Sequence, residues 1–96
     1  MFVSLAIHRP KSGQEKYLIE SMRRFRRIML ESPGVISVNA LQDKEAGVLV
    51  GLAIWDSEES RNAVIEEVRK AIAEDPFGDW EDSPPEMYAL TEARVE

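Results

Sequence analysis

His8 is the only histidine in the 96-residue chain and the only side chain expected to titrate near neutrality. It closes the apolar run Phe2–His8 and shares strand parity with Ser4 and Ala6, which are small enough to leave space above a sheet. A histidine over such a space is placed to take a phenolic proton as a general base, making an electron-rich anion for oxygen to attack. The favoured alternative is a solvated strand-end histidine beside Arg9. Asn39 sits in a strand against its propensity, and its amide could polarise a ligand carbonyl or a peroxide; an edge position facing water is the competing reading. Trp55 and Tyr88 are candidate walls of an aromatic pocket, with packing in the core or a subunit seam favoured for Trp55. Trp80, with Phe77, is expected to pin a loop across the mouth of a cleft or onto a partner subunit. His8 and Asn39 are therefore the candidate catalytic residues, and Ser4, Trp55, Tyr88 and Trp80 the candidate substrate-binding ones.

Composition removes most other chemistries. There is no cysteine and only one histidine, which excludes disulfides, thiolate sites and multi-histidine metal centres. Asp75 to Glu86 has the length of a calcium-binding EF-hand loop, but Phe77 and Trp80 stand where that loop needs an oxygen ligand and a glycine. No GxGxxG, Walker, Ser-His-Asp or HExxH pattern occurs, so neither a cofactor nor a metal is expected. A net charge of −6 opposes general nucleic-acid or anionic-membrane binding. The one basic cluster, Arg23 to Arg27, reads as a solvated helix face with Glu20 pairing to Arg24. No apolar run is long enough to span a membrane, and the N-terminus lacks the pattern of a signal peptide, so a cytoplasmic protein is expected.

The length suits one domain, residues 1–96. Val3, Leu5 and Ile7 alternate with Phe2, Ser4, Ala6 and His8 in a first strand, and Arg9-Pro10-Lys11 ends it. Ser12-x-x-Glu15 matches a capping box, and Leu18, Met22, Phe25 and Met29 form the apolar stripe of a helix from about Gly13 to Glu31. Ser32-Pro33-Gly34 stops that helix. A hairpin follows, Val35–Gln42 and Val48–Trp55, joined through a polar loop. Asp56-x-x-Glu59 is a second capping-box candidate, opening a helix to about Glu74 with Val64, Val68, Ala71 and Ile72 inward. A turn-rich loop leads to a last strand, Met87 to Val95.

The predicted order is β-α-β-β-α-β: an α+β, ferredoxin-like plan in which two helices share one face of a four-stranded antiparallel sheet. The other face is left bare, and Ser4, Ala6, His8, Ser37, Asn39, Gly51, Ala53 and Trp55 are its expected residues. A second copy laid on it would close a dimeric barrel.

The element order, the Pro33-Gly34 step and the segment Ala53-Ile54-Trp55-Asp56-Ser57-Glu58-Glu59 resemble the antibiotic biosynthesis monooxygenase (ABM) domain of the dimeric α+β barrel superfamily. The resemblance spans nearly the whole chain. It implies a homodimer with a small-molecule cleft between the bare sheet face and the helices. Some members oxygenate aromatic polyketides or quinols without metal or flavin, and others open the haem ring. The haem-degrading pattern needs an asparagine on strand one and a tryptophan and a histidine along the second helix. This chain has neither, with Ala63 and Ala73 where the helix residues are expected. The reading is a homodimer binding a small aromatic or quinol-type molecule, with cofactor-independent oxygenation as the implied activity. A non-catalytic ligand-binding barrel and a purely structural module remain open from the residues alone.

Overall fold

The computed structural model describes residues 1–94; Val95, the predicted end of the last strand, lies outside the described residues. The elements are β1 (Phe2–His8), α1 (Glu15–Leu30), β2 (Val35–Asp43), β3 (Val48–Trp55), α2 (Glu58–Ile72), a single helical turn α3 (Phe77–Trp80) and β4 (Glu86–Thr91). The strands form one antiparallel sheet in the order β2-β3-β1-β4. This is the predicted split βαβ plan, with α3 added in the loop before the last strand.

Both helix starts differ from expectation. Gly13 has a positive φ of 81°, which a helix cannot include, so α1 begins only at Glu15 behind Gln14, with no side-chain cap. The expected Ser12–Glu15 capping box does not form. At α2 the cap is Ser57 rather than Asp56: Ser57 is extended, and its Oγ accepts the Ser60 amide at 3.2 Å. Asp56 instead accepts the Ser60 hydroxyl at 2.5 Å and the Ser57 hydroxyl at 3.1 Å. Ala71, predicted inward, is exposed in the last turn of α2, while Ile72 is half-buried. Nor does Glu20 pair with Arg24. Glu20 holds Arg23 at 2.7 Å, and Arg24 makes two bonds of 2.9 and 3.0 Å to Asp75, whose other partner is the buried Ser21 hydroxyl. A contact from one guanidinium nitrogen, Nη2, to both oxygens of a largely buried carboxylate outcompetes an exposed i,i+4 pair.

Strand register overturns the predicted bare face. Residues directly paired across antiparallel strands project to the same side. Phe2, Ser4, Ala6 and His8 pair with Trp55, Ala53, Gly51 and Leu49. These residues face the helices: Phe2, Ala53 and Trp55 are buried with Val64 and Val68 of α2, and Leu49 is buried with Leu18 and Met22 of α1. A bulge between Val35 and Ser37 then flips the parity of β2. Val35 and Val38 both pack inward, whereas Ser37 and Asn39 pair with Ile54 and Leu52 on the outer side. The open face is thus built from Val3, Leu5, Ile7, Leu41, Val50, Leu52, Ile54, Tyr88 and Leu90 by register. Ser37 and Asn39 are outside as expected, but Ser4, Ala6, Gly51 and Ala53 lie inside, where they make room beneath the helices.

Candidate functional site

That room is a cavity of about 370 Å³ between the sheet and the two long helices. Its floor is Ser4, Ala6, Gly51, Ala53, Ala40 and Ala89; Met22, Phe25 and Met29 of α1 and Ile65, Val68 and Ile72 of α2 wall it. Short side chains on four strands opposite long ones on two helices produce the void directly. A Cβ at Gly51 would already meet the Met22 methyl at 3.5 Å. The volume lies within the ~300–1,000 Å³ usual for small-molecule sites.

His8 lies at the end of this floor and lines the cavity. It is only 6% exposed, and its Nδ1 lies 2.5 Å from Oε1 of Glu81, itself 5% exposed. The expectation of a solvated strand-end histidine is therefore overturned. Burial comes from the loop after α2, which folds back over the end of β1. The Lys11 amide donates to the Trp80 carbonyl at 2.7 Å and the Asp82 amide to the Arg9 carbonyl at 3.0 Å. Pro10 and Glu81 form a bridge between these two bonds. Every buried side-chain nitrogen and oxygen among the described residues has a partner. Nε2 of His8 has none among those residues, so it is not sealed from solvent, and the space that His8 borders is the cavity.

The other sequence candidates divide between the two faces. Ser4 lines the cavity, and its hydroxyl oxygen accepts from Trp55 Nε1 at 3.2 Å, leaving its own proton free for a ligand. Trp55 is completely buried and packs against Phe2 and Val64 in the core, away from the cavity lining. Asn39 and Tyr88 border the cavity, yet they pair with Leu52 and Leu5, which projects their side chains to the open face. The Tyr88 hydroxyl donates to Glu86 at 3.1 Å, and the Glu86 carboxylate raises the Tyr88 pKa above its ordinary value. Trp80 stacks on Tyr17 of α1 with ring centroids 5.8 Å apart and meets Phe77 edge-on at 5.5 Å. It holds the loop down, while Phe77 lines the cavity.

Sequence reasoning missed Glu81 and the cationic rim. Glu81 stands 73 positions from His8, and only its acidic character beside an aromatic anchor could have drawn attention to it. Arg26, Arg61 and Arg69 also line the cavity. Arg26 Nε donates to the Val38 carbonyl at 2.9 Å, and Arg61 lies 4.9 Å over the Phe2 ring. Arg69 is paired with Glu66 at 2.5 Å and Arg61 stands 3.9 Å from Glu58, so among the described residues Arg26 alone of the three has no carboxylate partner. Among the described residues, no group of three metal-ligating side chains is assembled and no helix is long and apolar enough to cross a membrane.

The fold and cavity define a ferredoxin-like α+β protein with a largely apolar cavity between sheet and helices, bordered at one end by a buried histidine that is paired with a glutamate. A family model described as antibiotic biosynthesis monooxygenase matches residues 1–73, and the chain belongs to that family. Among solved structures it is similar to a conserved protein from Methanosarcina mazei Go1 (18% identity, 96% of this chain and 92% of that one, TM-score 0.83). It is also similar to a protein from Mycobacterium tuberculosis (14% identity, 98% and 96%, TM-score 0.77). A structure described as an antibiotic biosynthesis monooxygenase matches at 10% identity over 98% and 100%, with TM-score 0.78. At these identities the structural likeness speaks for the fold alone. Comparison with curated proteins gives no match.

Proposed function

We propose that the cavity binds a small aromatic molecule of the phenol or quinol type, that His8 removes its acidic proton, and that oxygen then attacks the anion without a metal or flavin. The observation that carries this reading is the placement of His8: buried at the end of an apolar chamber, its Nδ1 engaged and its Nε2 unpartnered. An imidazole nitrogen without a hydrogen-bond partner among the described residues, beside an apolar slot, suits proton abstraction from a phenol. The Ser4 hydroxyl is available to donate to a ligand oxygen, and Arg26, without a carboxylate partner among the described residues, favours the phenolate.

The step balances with molecular oxygen as co-reactant. Nε2 takes the phenolic proton. A ring carbon of the phenolate forms a C–O bond to oxygen, and the resulting peroxide anion recovers the proton from the imidazolium. Loss of water breaks the O–O bond and that carbon's C–H bond, leaving a second carbonyl. A phenol and O₂ thus become a quinone and water. Asn39, with its amide on the open face, has no part in this proton transfer.

Oxygen uptake with naphthols and hydroquinones, corrected for autoxidation, tests the proposal. His8→Ala is expected to lower turnover by about 10²–10⁴-fold while quenching of tryptophan fluorescence shows the ligand still bound. Wild-type protein that binds these compounds without oxygen uptake would leave a non-catalytic ligand carrier as the better reading. We also propose that the protein acts as a homodimer through the open sheet face.

A further inference from the structure

We infer that Glu81 is a positioning residue for His8: it fixes the imidazole in the tautomer with hydrogen on Nδ1, so that the lone pair of Nε2 faces the cavity. The inference rests on the reading of His8 as the base and adds the group that prepares it.

Three observations carry it. Glu81 is buried, and its contact with Nδ1 is the one hydrogen bond His8's side chain makes among the described residues. An ionised carboxylate can only accept, so with Glu81 ionised this contact requires the hydrogen on Nδ1. Second, the backbone that carries Glu81 is held from both sides. The Trp80 carbonyl and the Asp82 amide are bonded to Lys11 and Arg9, the Glu81 amide donates to the Phe77 carbonyl at 2.9 Å, and Lys11 Nζ reaches the Gly78 carbonyl at 3.1 Å. With Trp80 stacked on Tyr17, the segment before β4 is clamped across the end of β1. Third, Glu81 lies beyond residues 1–73, the part that the family model matches. A neutral imidazole is a donor at one nitrogen and an acceptor at the other, so the partner of Nδ1 decides whether Nε2 can accept a proton.

The single histidine makes the test direct, because every imidazole signal belongs to His8. Long-range ¹H–¹⁵N spectra of the ¹⁵N-labelled protein, at a pH where the ring is neutral, are expected to show a protonated Nδ1 and an unprotonated Nε2. In Glu81→Gln the side-chain amide can donate as well as accept, and the Nε2–H form is expected to grow. Turnover should then fall by about 10²–10⁴-fold, the scale of general-base catalysis, with KM little changed. Wild-type protein with the hydrogen on Nε2 overturns the inference. So does a Glu81→Gln protein whose tautomer ratio and kcat match wild type. If that variant does not fold, the wild-type tautomer and the more conservative Glu81→Asp decide by the same two readouts. Should no phenol support oxygen uptake, the base reading fails by itself, and the tautomer still decides whether Glu81 sets the state of His8.

Discussion

At Gly34, conformation and contact both forbid a side chain. Its φ is +86°, and a Cβ there would stand 2.3 Å from the Ser60 hydroxyl and 2.7 Å from an Asp56 carboxylate oxygen. The Gly34 carbonyl also accepts the Asp56 amide at 2.8 Å, tying the exit of α1 to the entry of α2. Gly34→Ala is expected to destabilise the protein by about 1–3 kcal/mol, the scale of a strained backbone position, measured by urea unfolding. Asp56 itself should report on pH. Its hydrogen bond from Ser60 holds its carboxyl below the ordinary pKa. A depressed folded value contributes stability that is present above the unfolded pKa and is lost as pH falls through the folded one. Asp56→Asn should therefore flatten the acid side of the stability curve and leave its slope near neutrality unchanged. The helix-stopping role of Pro33-Gly34 was legible because it is local. The reason Gly34 admits no Cβ was not, since Ser60 meets it only in three dimensions. His8 divides the same way: its parity with Ser4 and Ala6 could be read, while its burial depends on Glu81 from the other end of the chain.

At the level of elements, periodicity located every long helix and strand, but the details of caps and register depended on more than pattern. Ser12-x-x-Glu15 has the letters of a capping box and lacks its geometry, because Gly13 turns left-handed between them. Ser57 has both: an extended backbone, and an Oγ that accepts the Ser60 amide. The two serines are a matched experiment. Ser57→Ala should cost about 1 kcal/mol, the usual value of an N-cap. Ser12→Ala, at an exposed position, should stay within about 0.5 kcal/mol. Equal losses in paired denaturation curves would contradict this assignment. The bulge in β2 had the larger consequence. A period-two pattern carries a residue's face along a strand only while pairing is regular, and one extra residue reverses it. No turn residue marks Val35–Ser37, so the sequence offered no sign that Ser37 and Asn39 would leave the side occupied by Trp55. Strand parity groups the small residues of β1 and β3, but it does not say which side of the sheet the helices cover, so their place beneath the helices was not legible.

As a whole, the molecule is a slab of 41 × 33 × 17 Å with helices on one broad side and uncovered sheet on the other. The uncovered side presents Val3, Leu5, Ile7, Val50, Leu52, Ile54 and Leu90 from three adjacent strands, with Leu41 and Tyr88 at its margins. An apolar expanse of this kind is unusual on a monomer, and a two-fold axis lets one copy cover it with the same surface of another. Net charge argues for the same geometry by elimination. Each chain carries −6, so two copies repel at long range, and only a contact poor in charge can outweigh that repulsion. Two outcomes follow for sedimentation equilibrium. At micromolar concentration the protein should weigh twice its 10.9 kDa chain mass, and moderate salt should tighten the association by screening the repulsion. Leu52→Glu places a carboxylate in the middle of the expanse on the strand between β1 and β2, and should give a monomer that still shows the helical circular dichroism of the wild type. Met87→Glu is the control: Met87 is 73% exposed and lies on the helix side by its pairing with Ala6, so its variant should remain dimeric. A wild-type monomer, or a Leu52→Glu dimer, would show that the open face is not the seam.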